Sequence, residues 1–391
     1  MANYGDRPFE FKVPVTIHVG VGCHERVAPE AARLGGEKVL VFTDPNVRVT
    51  PMAGKVIDQL SGAGILRGVF SDIPNEPTTT EVERGLSALE EVKADTIVAI
   101  GGGSVIDTAK AVAVLGTNGG TIVDYKGANK VKKPKLPLVA VNTTAGTGSE
   151  VTRFAIITDP VTSVKMLIAD PHLIPEVAID DPLLTLTCSP LVTASTGLDA
   201  LTHAIEAYIS LRSNALSDIL ALSSIRKIAQ SLRAAFRSGE DLTARTMMHV
   251  ASLEAGMSFS NASVALVHGM ARPIGAYFHQ PHGISNSVLL PYVMGWSIAG
   301  APERFAQIGR ALGVDTTGLS DMDAAQRAVA EVRALCKDLK IPKLTGLGID
   351  PNKLMALAPT MAKDALDSGS PGNNPRVPTA DEIVELYRQA L

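Results

Sequence analysis

The sequence predicts two domains: an α/β N-terminal domain with a mostly parallel sheet over residues 1–185, and an all-α domain over 186–391. Three observations predict this division. Up to about residue 180, short β-branched runs alternate with helical patterns; strand signals then stop after Asp180-Asp181-Pro182. The remainder carries 3.6-residue periodicity. A chain of 391 residues also has room for two domains at about 150 residues each.

Taken in order, residues 37–43 predict a strand and 47–60 a helix. Residues 65–70 predict the next strand and 79–92 the next helix. A strand over 96–100, a helix over 104–115 and a strand over 136–141 continue the alternation. Nearly continuous apolar strands separated by helices indicate a parallel sheet covered on both faces. Residues 154–157 and 164–168, joined by Thr158-Asp159-Pro160, predict a hairpin. Helices are expected over 193–211, 217–236, 242–257, 324–339 and 380–391, with the domain boundary between Pro182 and Pro190. Residues 369–372 read as a surface turn, and neither an internal repeat nor a low-complexity tract is found.

Composition narrows the partners. Lys and Arg number 36 against 40 Asp and Glu, a net charge of −4, so a nucleic-acid partner is not expected. The cysteines, Cys23, Cys188 and Cys336, are odd in number and far apart, which excludes a disulfide framework or a CxxC metal knuckle. The opening MANYGDRPFEFKVP has no basic segment followed by an apolar run, so no signal peptide is expected. Apolar runs fall short of the roughly 18 to 20 residues a bilayer span needs. A cytoplasmic protein without a membrane partner is expected.

Two glycine-bearing loops follow predicted strands. Gly101-Gly102-Gly103-Ser104 lies between a buried strand and a helix, where glycines let a phosphate approach and the helix start supplies free N–H groups. The alternative is a tight turn in which Ser104 and Asp107 form a capping box. Asn142-Thr143-Thr144-Ala145-Gly146-Thr147-Gly148-Ser149 follows the next strand with hydroxyl and backbone donors interleaved. Open α/β sheets bind ligands along the C-terminal edge of their strands, and the pair of loops fits that rule. Asp44 ends the first clear strand, where a carboxylate either accepts from a ribose diol, favouring NAD over NADP, or caps a turn before Pro45.

Histidines and one aspartate form a second constellation. Asp199 and His203 are four apart on a predicted helix, so they stack on one face. His268 lies in a helical apolar segment and His282 in a Pro/Gly-flanked break fourteen residues later. Isolated imidazoles in so weakly charged a stretch would be costly without partners. One carboxylate and three imidazoles make an O,N,N,N set without thiolate, which suits Fe(II) or Zn(II) better than Ca or Mg. The remaining position would take water or a substrate oxygen. Taken alone, Asp199 and His203 also read as an ordinary exposed pair, and a lone histidine in an apolar helix as a satisfied core residue.

These residues belong to longer motifs. GGGSVIDTAK, TTAGTGSEVTRFAIITD, GLDALTHAIEAY and HGMARPIGAYFHQPHGISNSVLLP resemble the iron-containing (group III) alcohol dehydrogenases, a family that includes lactaldehyde reductase and 1,3-propanediol dehydrogenase. The likeness runs in order from the strand ending at Asp44 to residues 363–365 and 374–379. It implies that Asp199, His203, His268 and His282 bind the divalent metal, with Fe(II) favoured over Zn(II). It implies that Gly102, Gly103 and Ser104 hold the NAD pyrophosphate, with Asp107 in the same turn counted among the cofactor residues. Asp44 and Asn75 would lie near the adenosine and nicotinamide portions, and Thr143, Thr144, Thr152, Phe154 and Lys165 match further cofactor contacts. The family architecture is an α/β domain and a helical domain with the cleft between, and relatives are dimers or larger homo-oligomers.

One departure stands out. Many relatives carry another His between the last two metal histidines, and this chain has Arg272 there, which stays protonated at working pH. His279, nearby in sequence, is a partial substitute for that proton relay. Arg272 itself either pairs with an anionic substrate group or is satisfied by a carboxylate at the domain interface. The expected activity is hydride transfer between nicotinamide C4 and a small primary alcohol or diol and its aldehyde. The alternatives are an anionic aldehyde, of hydroxy-acid or phosphonate type, selected by Arg272; a dehydroquinate synthase-type enzyme, whose lysine-rich substrate site has no match here; and a non-catalytic binding module.

Overall fold

β-Branched and aliphatic runs build one unit, Lys12–Cys188, and periodic helices build the other, Ser189–Leu391 together with residues 8–11. The computed structural model describes residues 8–162 and 164–391. Residues 1–7, on which the expectation of no signal peptide partly rests, lie outside the described residues. The division falls at 188/189 instead of 185/186, and residues 8–11 group with the helices and not with the sheet.

The first unit runs β1 (Thr16–Val19), α1 (Val27–Arg33), β2 (Val39–Thr43), α2 (Pro45–Arg48), α3 (Pro51–Gly62), β3 (Leu66–Phe70), α4 (Thr79–Val92), β4 (Thr96–Gly101) and α5 (Gly103–Asn118). It continues with β5 (Gly127–Ala128), β6 (Leu138–Asn142), β7 (Phe154–Asp159), β8 (Val164–Ala169) and β9 (Val177–Asp180). Six strands make one parallel sheet in the order β1-β9-β6-β4-β2-β3. Its central strands are buried along their whole length, and alternate residues enter different cores. Leu40, Phe42, Ile97 and Ala99 pack on one face, and Val39, Val41, Val98 and Ile100 on the other. Each fully buried Val, Leu, Ile or Phe contributes about 1.5–3 kcal/mol, so this double-sided filling fixes the sheet.

The helix expected over 47–60 is two helices, because Thr50 caps Ala53 N and Pro51 opens a new first turn. Strands β1 and β9 have four residues each, too short for a periodic signal. The hairpin is present: β7 and β8 pair antiparallel from Phe154↔Ala169 to Asp159↔Val164, and β5 joins them in a three-stranded sheet.

The second unit is helical: α6 (Pro190–Ile209), α7 (Ala215–Arg237), α8 (Leu242–Ala262), α9 (Leu266–Phe278), α10 (His282–Ser297), α11 (Pro302–Ala311), α12 (Asp321–Asp338), α13 (Pro351–Asp367) and α14 (Ala380–Gln389). Helices α9, α10 and α13 have an internal proline, and α10 is buried nearly all round, small polar residues included, which hides its period. Among the described residues, no helix is long and apolar enough to cross a membrane.

Candidate metal centre and dinucleotide loops

Three helices bring the metal candidates together. Ser189 caps α6 and Pro190 opens it, which sets the helix on which Asp199 and His203 follow one turn apart. His268 sits in the first turn of α9, and His282 is the first residue of α10. Gly283 permits this approach, since a Cβ there would lie 2.8 Å from Ser195 O on α6. The predicted break around Pro281 is therefore the α9–α10 junction.

One donor atom from each of Asp199, His203, His268 and His282 lies within 4.8 Å of the other three. Asp199 Oδ1 is 3.8 Å from His268 Nε2 and 3.9 Å from His282 Nε2, and Asp199 Oδ2 is 4.0 Å from His203 Nδ1. His203 is held by stacking on Phe259 and His268, with centroids 4.1 and 4.5 Å away. Its Nδ1 is buried without a hydrogen-bond partner. Asn286 Nδ2 donates to Asp199 Oδ1 at 2.6 Å and stands 3.1 Å from both His268 Nε2 and His282 Nε2, so three lone pairs aim at one region. Buried unpartnered imidazole nitrogen and convergent lone pairs are the arrangement a divalent cation requires. The residues present fit the metal.

Glu206, one turn beyond His203 on α6, carries a role that sequence reasoning missed. Its carboxylate accepts from Ala265 N (2.9 Å), Val267 N (2.5 Å) and His268 Nδ1 (2.6 Å). It thus caps the start of α9 and fixes the tautomer that leaves His268 Nε2 as a lone pair. Burial pushes the carboxyl up to about 7 against these backbone donors. Burial, then the charges of His203 and Arg272, holds the His268 imidazole well below its usual range, in the neutral form a metal ligand needs. The signal available was position: Glu206 lies on the same face of α6 as Asp199 and His203.

In the α/β unit, β6, β4 and β2 are neighbours, so Thr143, Gly102 and Asp44 follow the C-terminal ends of three adjacent parallel strands. Thr143 N donates to Gly101 O at 3.1 Å, tying the two loops. Gly102 caps α5 without a side chain, and a Cβ at Gly103 would lie 2.9 Å from Thr147 Cγ2. The glycines keep the helix start open and let the loops meet. Ser104 Oγ donates to Asn75 O, which brings the segment around Asn75 to the same edge. Lys165 Nζ pairs with Glu76 at 2.6 Å beside it. Asp44 is both an N-cap and an edge carboxylate: Oδ1 accepts from Asn46 N (2.9 Å) and Val47 N (3.0 Å), leaving Oδ2.

Other candidates sit beneath the loops. Asp107 accepts from Ser149 Oγ (2.5 Å) and Ile156 N (2.9 Å), so it holds the segment after the second loop; it does not cap with Ser104. Thr152 is buried and Phe154 offers its carbonyl, both to Lys110 Nζ, at 3.2 and 2.7 Å. Thr144 N donates to Asn142 Oδ1 at 3.0 Å. Lys110, fully buried, was legible only as part of the motif; desolvation lowers its ammonium to about 8. In the helical unit, Arg272 Nη1 donates to Ser370 Oγ at 2.9 Å. His279 ends α9 in a left-handed conformation (φ 54°), exposed and about three turns from His268, outside the cluster.

Comparison with known proteins places these features. Residues 14–182 match the family described as iron-containing alcohol dehydrogenase, and residues 193–391 match its Fe-containing alcohol dehydrogenase C-terminal region. The chain belongs to the iron-containing alcohol dehydrogenase family. It is 40% identical to a 1,3-propanediol dehydrogenase of Klebsiella pneumoniae over 98% of this chain and 99% of that one. It is 36% identical to an NAD-dependent methanol dehydrogenase of Bacillus methanolicus over 97% and 99% of the two chains. The crystal structure of a 1,3-propanediol oxidoreductase superposes with a TM-score of 0.95 at 40% identity, covering 98% of this chain and all 100% of that one. The protein is therefore an alcohol dehydrogenase acting on the alcohol/aldehyde couple, in a family that works with NAD and a metal.

Proposed function

We propose that the chain is an NAD-dependent dehydrogenase interconverting a small primary alcohol or diol and its aldehyde, with Fe(II) in preference to Zn(II) held by Asp199, His203, His268 and His282. The convergence of those four donors within 4.8 Å carries the reading. A bound divalent cation supplies Lewis acidity that brings an alcohol's hydroxyl toward ionisation near neutral pH. The chain's own residues do the rest. Glu206 keeps His268 in its ligating tautomer, and the three imidazoles leave room for a substrate oxygen.

On the other unit, the open start of α5 at Gly102, Gly103 and Ser104 offers backbone N–H groups to a pyrophosphate. Asp44 Oδ2 accepts from a ribose diol and would repel a 2′-phosphate, which favours NAD over NADP. Thr143 and Thr144 line the same edge, and Asn75 and Lys165 flank it. Asp107, Thr152 and Phe154 serve the cofactor by holding the loop from below. His279 is given no part, being exposed at the end of α9. Hydride chemistry belongs to the cofactor and the protein supplies position.

Two wider features complete the proposal. No disulfide joins Cys23, Cys188 and Cys336 among the described residues, which fits a reducing, cytoplasmic compartment. Edge strand β1 is flanked by exposed Val13, Val15 and Val21, with Val19 exposed at its end, an edge suited to a second copy in a homo-oligomer. The deciding experiment is anaerobic metal removal, reloading with Fe(II) or Zn(II), metal analysis, and NADH absorbance with propan-1-ol and propane-1,3-diol. Steady NADH formation should return with about one metal per chain. Full metal occupancy without NADH formation would overturn the assignment of NAD and of small primary alcohols or diols to this enzyme.

A further inference from the structure

The dehydrogenase reading above leaves the far end of the substrate undescribed, and Arg272 bears on it. Arg272 stands one turn beyond His268 on α9, and helical side chains lean toward the N-terminus, so its guanidinium belongs to the surroundings of the metal centre. Two partners were open for it, a protein carboxylate or a substrate anion. Within the helical unit, the carboxylate that acts on its charge is Glu206. Both Glu206 oxygens are already committed, to Ala265 N, Val267 N and His268 Nδ1. Asp364, another carboxylate of this region, accepts from Tyr277 Oη at 2.8 Å. The hydrogen bond Arg272 does make, from Nη1 to Ser370 Oγ, goes to a neutral hydroxyl.

A guanidinium presents five N–H groups in a planar fork matched to oxyanions, and one hydroxyl leaves most of that fork unused. Arg272 as a whole residue is partly exposed.

We propose that Arg272 determines specificity by taking an oxyanion, carboxylate or sulfonate, at the far end of the alcohol or aldehyde whose oxygen goes to the Asp199 centre. The test uses metal-loaded full-length protein. kcat/KM is measured for 3-hydroxypropionate, 4-hydroxybutyrate and 3-hydroxypropanesulfonate against propan-1-ol and butan-1-ol. The wild type should prefer the anions by roughly 10- to 100-fold, the carboxylate and sulfonate arms separating the two oxyanions. Arg272→Ala should collapse that ratio, and Arg272→Lys should restore part of it. Arg272→Gln, which keeps a donor for Ser370, serves if the alanine variant does not fold. Equal efficiency on neutral and anionic alcohols, or a ratio unmoved by Arg272→Ala, overturns the proposal. If no alcohol is oxidised, the dehydrogenase reading fails instead, and propionate binding by calorimetry still decides: identical Kd in wild type and variant removes the anion role.

Discussion

The candidate cofactor edge of the α/β unit is made mostly of main chain: glycines at 102 and 103, the open start of α5, and a loop tied by Thr143 N to Gly101 O. The metal centre of the helical unit is made of side chains from α6, α9 and α10, with Glu206 and Asn286 holding the donors from behind and between. A main-chain site exists because something is absent, namely a side chain. A side-chain site exists because something is present, and each member is irreplaceable. The first is therefore broken by adding atoms and the second by removing them, and opposite kinds of substitution separate the two.

The largest effect is expected from deletion in the helical unit. Asp199 is the residue whose two oxygens face all three imidazoles. Asp199→Ala should abolish stoichiometric metal binding and lower turnover by roughly 1,000-fold or more, while NAD titration of the same variant shows undiminished affinity. Metal analysis beside a cofactor titration checks both halves. A variant that keeps its metal, or loses metal and NAD together, would erase the distinction between the regions.

The two regions were also unequally legible. Gly101-Gly102-Gly103-Ser104 between a strand and a helix announces itself in one window of sequence, because phosphate-binding geometry is local. The metal set spans Asp199 to His282, and only the first pair is periodic; its assembly depends on how α9 and α10 pack on α6. Donor chemistry suggested the four as one set and the family resemblance implied their common ion; spacing alone joined only Asp199 and His203. What stayed hidden is what tertiary packing decides. Glu206 reads as another helical carboxylate until α9 begins over it. Asp107 reads as a cap for Ser104 until β7 delivers Ile156 N to it. Strands β1 and β9 enter the sheet by pairing with each other and with β6, a long-range event that four-residue segments do not signal.

The converse substitution adds volume to the main-chain site. In Gly103→Val, a Cβ 2.9 Å from Thr147 Cγ2 and the branches beyond it force the first turn of α5 away from the second loop. Overpacking of this kind costs about 1–3 kcal/mol, and the displaced N–H groups should weaken NAD binding by about 10-fold or more. The metal content should be that of the wild type. Calorimetric titration with NAD is the check, and unaltered affinity would mean that the glycine serves the turn alone.

The smallest effect sharpens what lies beneath the loops. Lys110 is fully buried and donates to Ser149 Oγ (3.0 Å), Thr152 Oγ1 (3.2 Å) and Phe154 O (2.7 Å), so it braces the floor of the cofactor edge at the cost of burying a charge. Desolvation lowers its folded-state pKa to about 8 from 10.5, partly opposed by Asp107 and Glu150. Between those two values the unfolded chain holds the proton and the folded chain does not, so unfolding free energy rises with pH across the window and this contribution is lost as pH falls through 8. Relative to Lys110→Met, urea titrations of the wild type should therefore gain stability from pH 8 to 10.5, by an amount on the order of 1–3 kcal/mol. The variant also lacks the hydrogen bonds of Lys110, at most two of them from the neutral amine, which lowers its curve without giving it the wild type's slope across the window. Slope and offset thus report different things. Parallel curves across the window would mean that Lys110 titrates as an ordinary amine and that the loop floor is open to water.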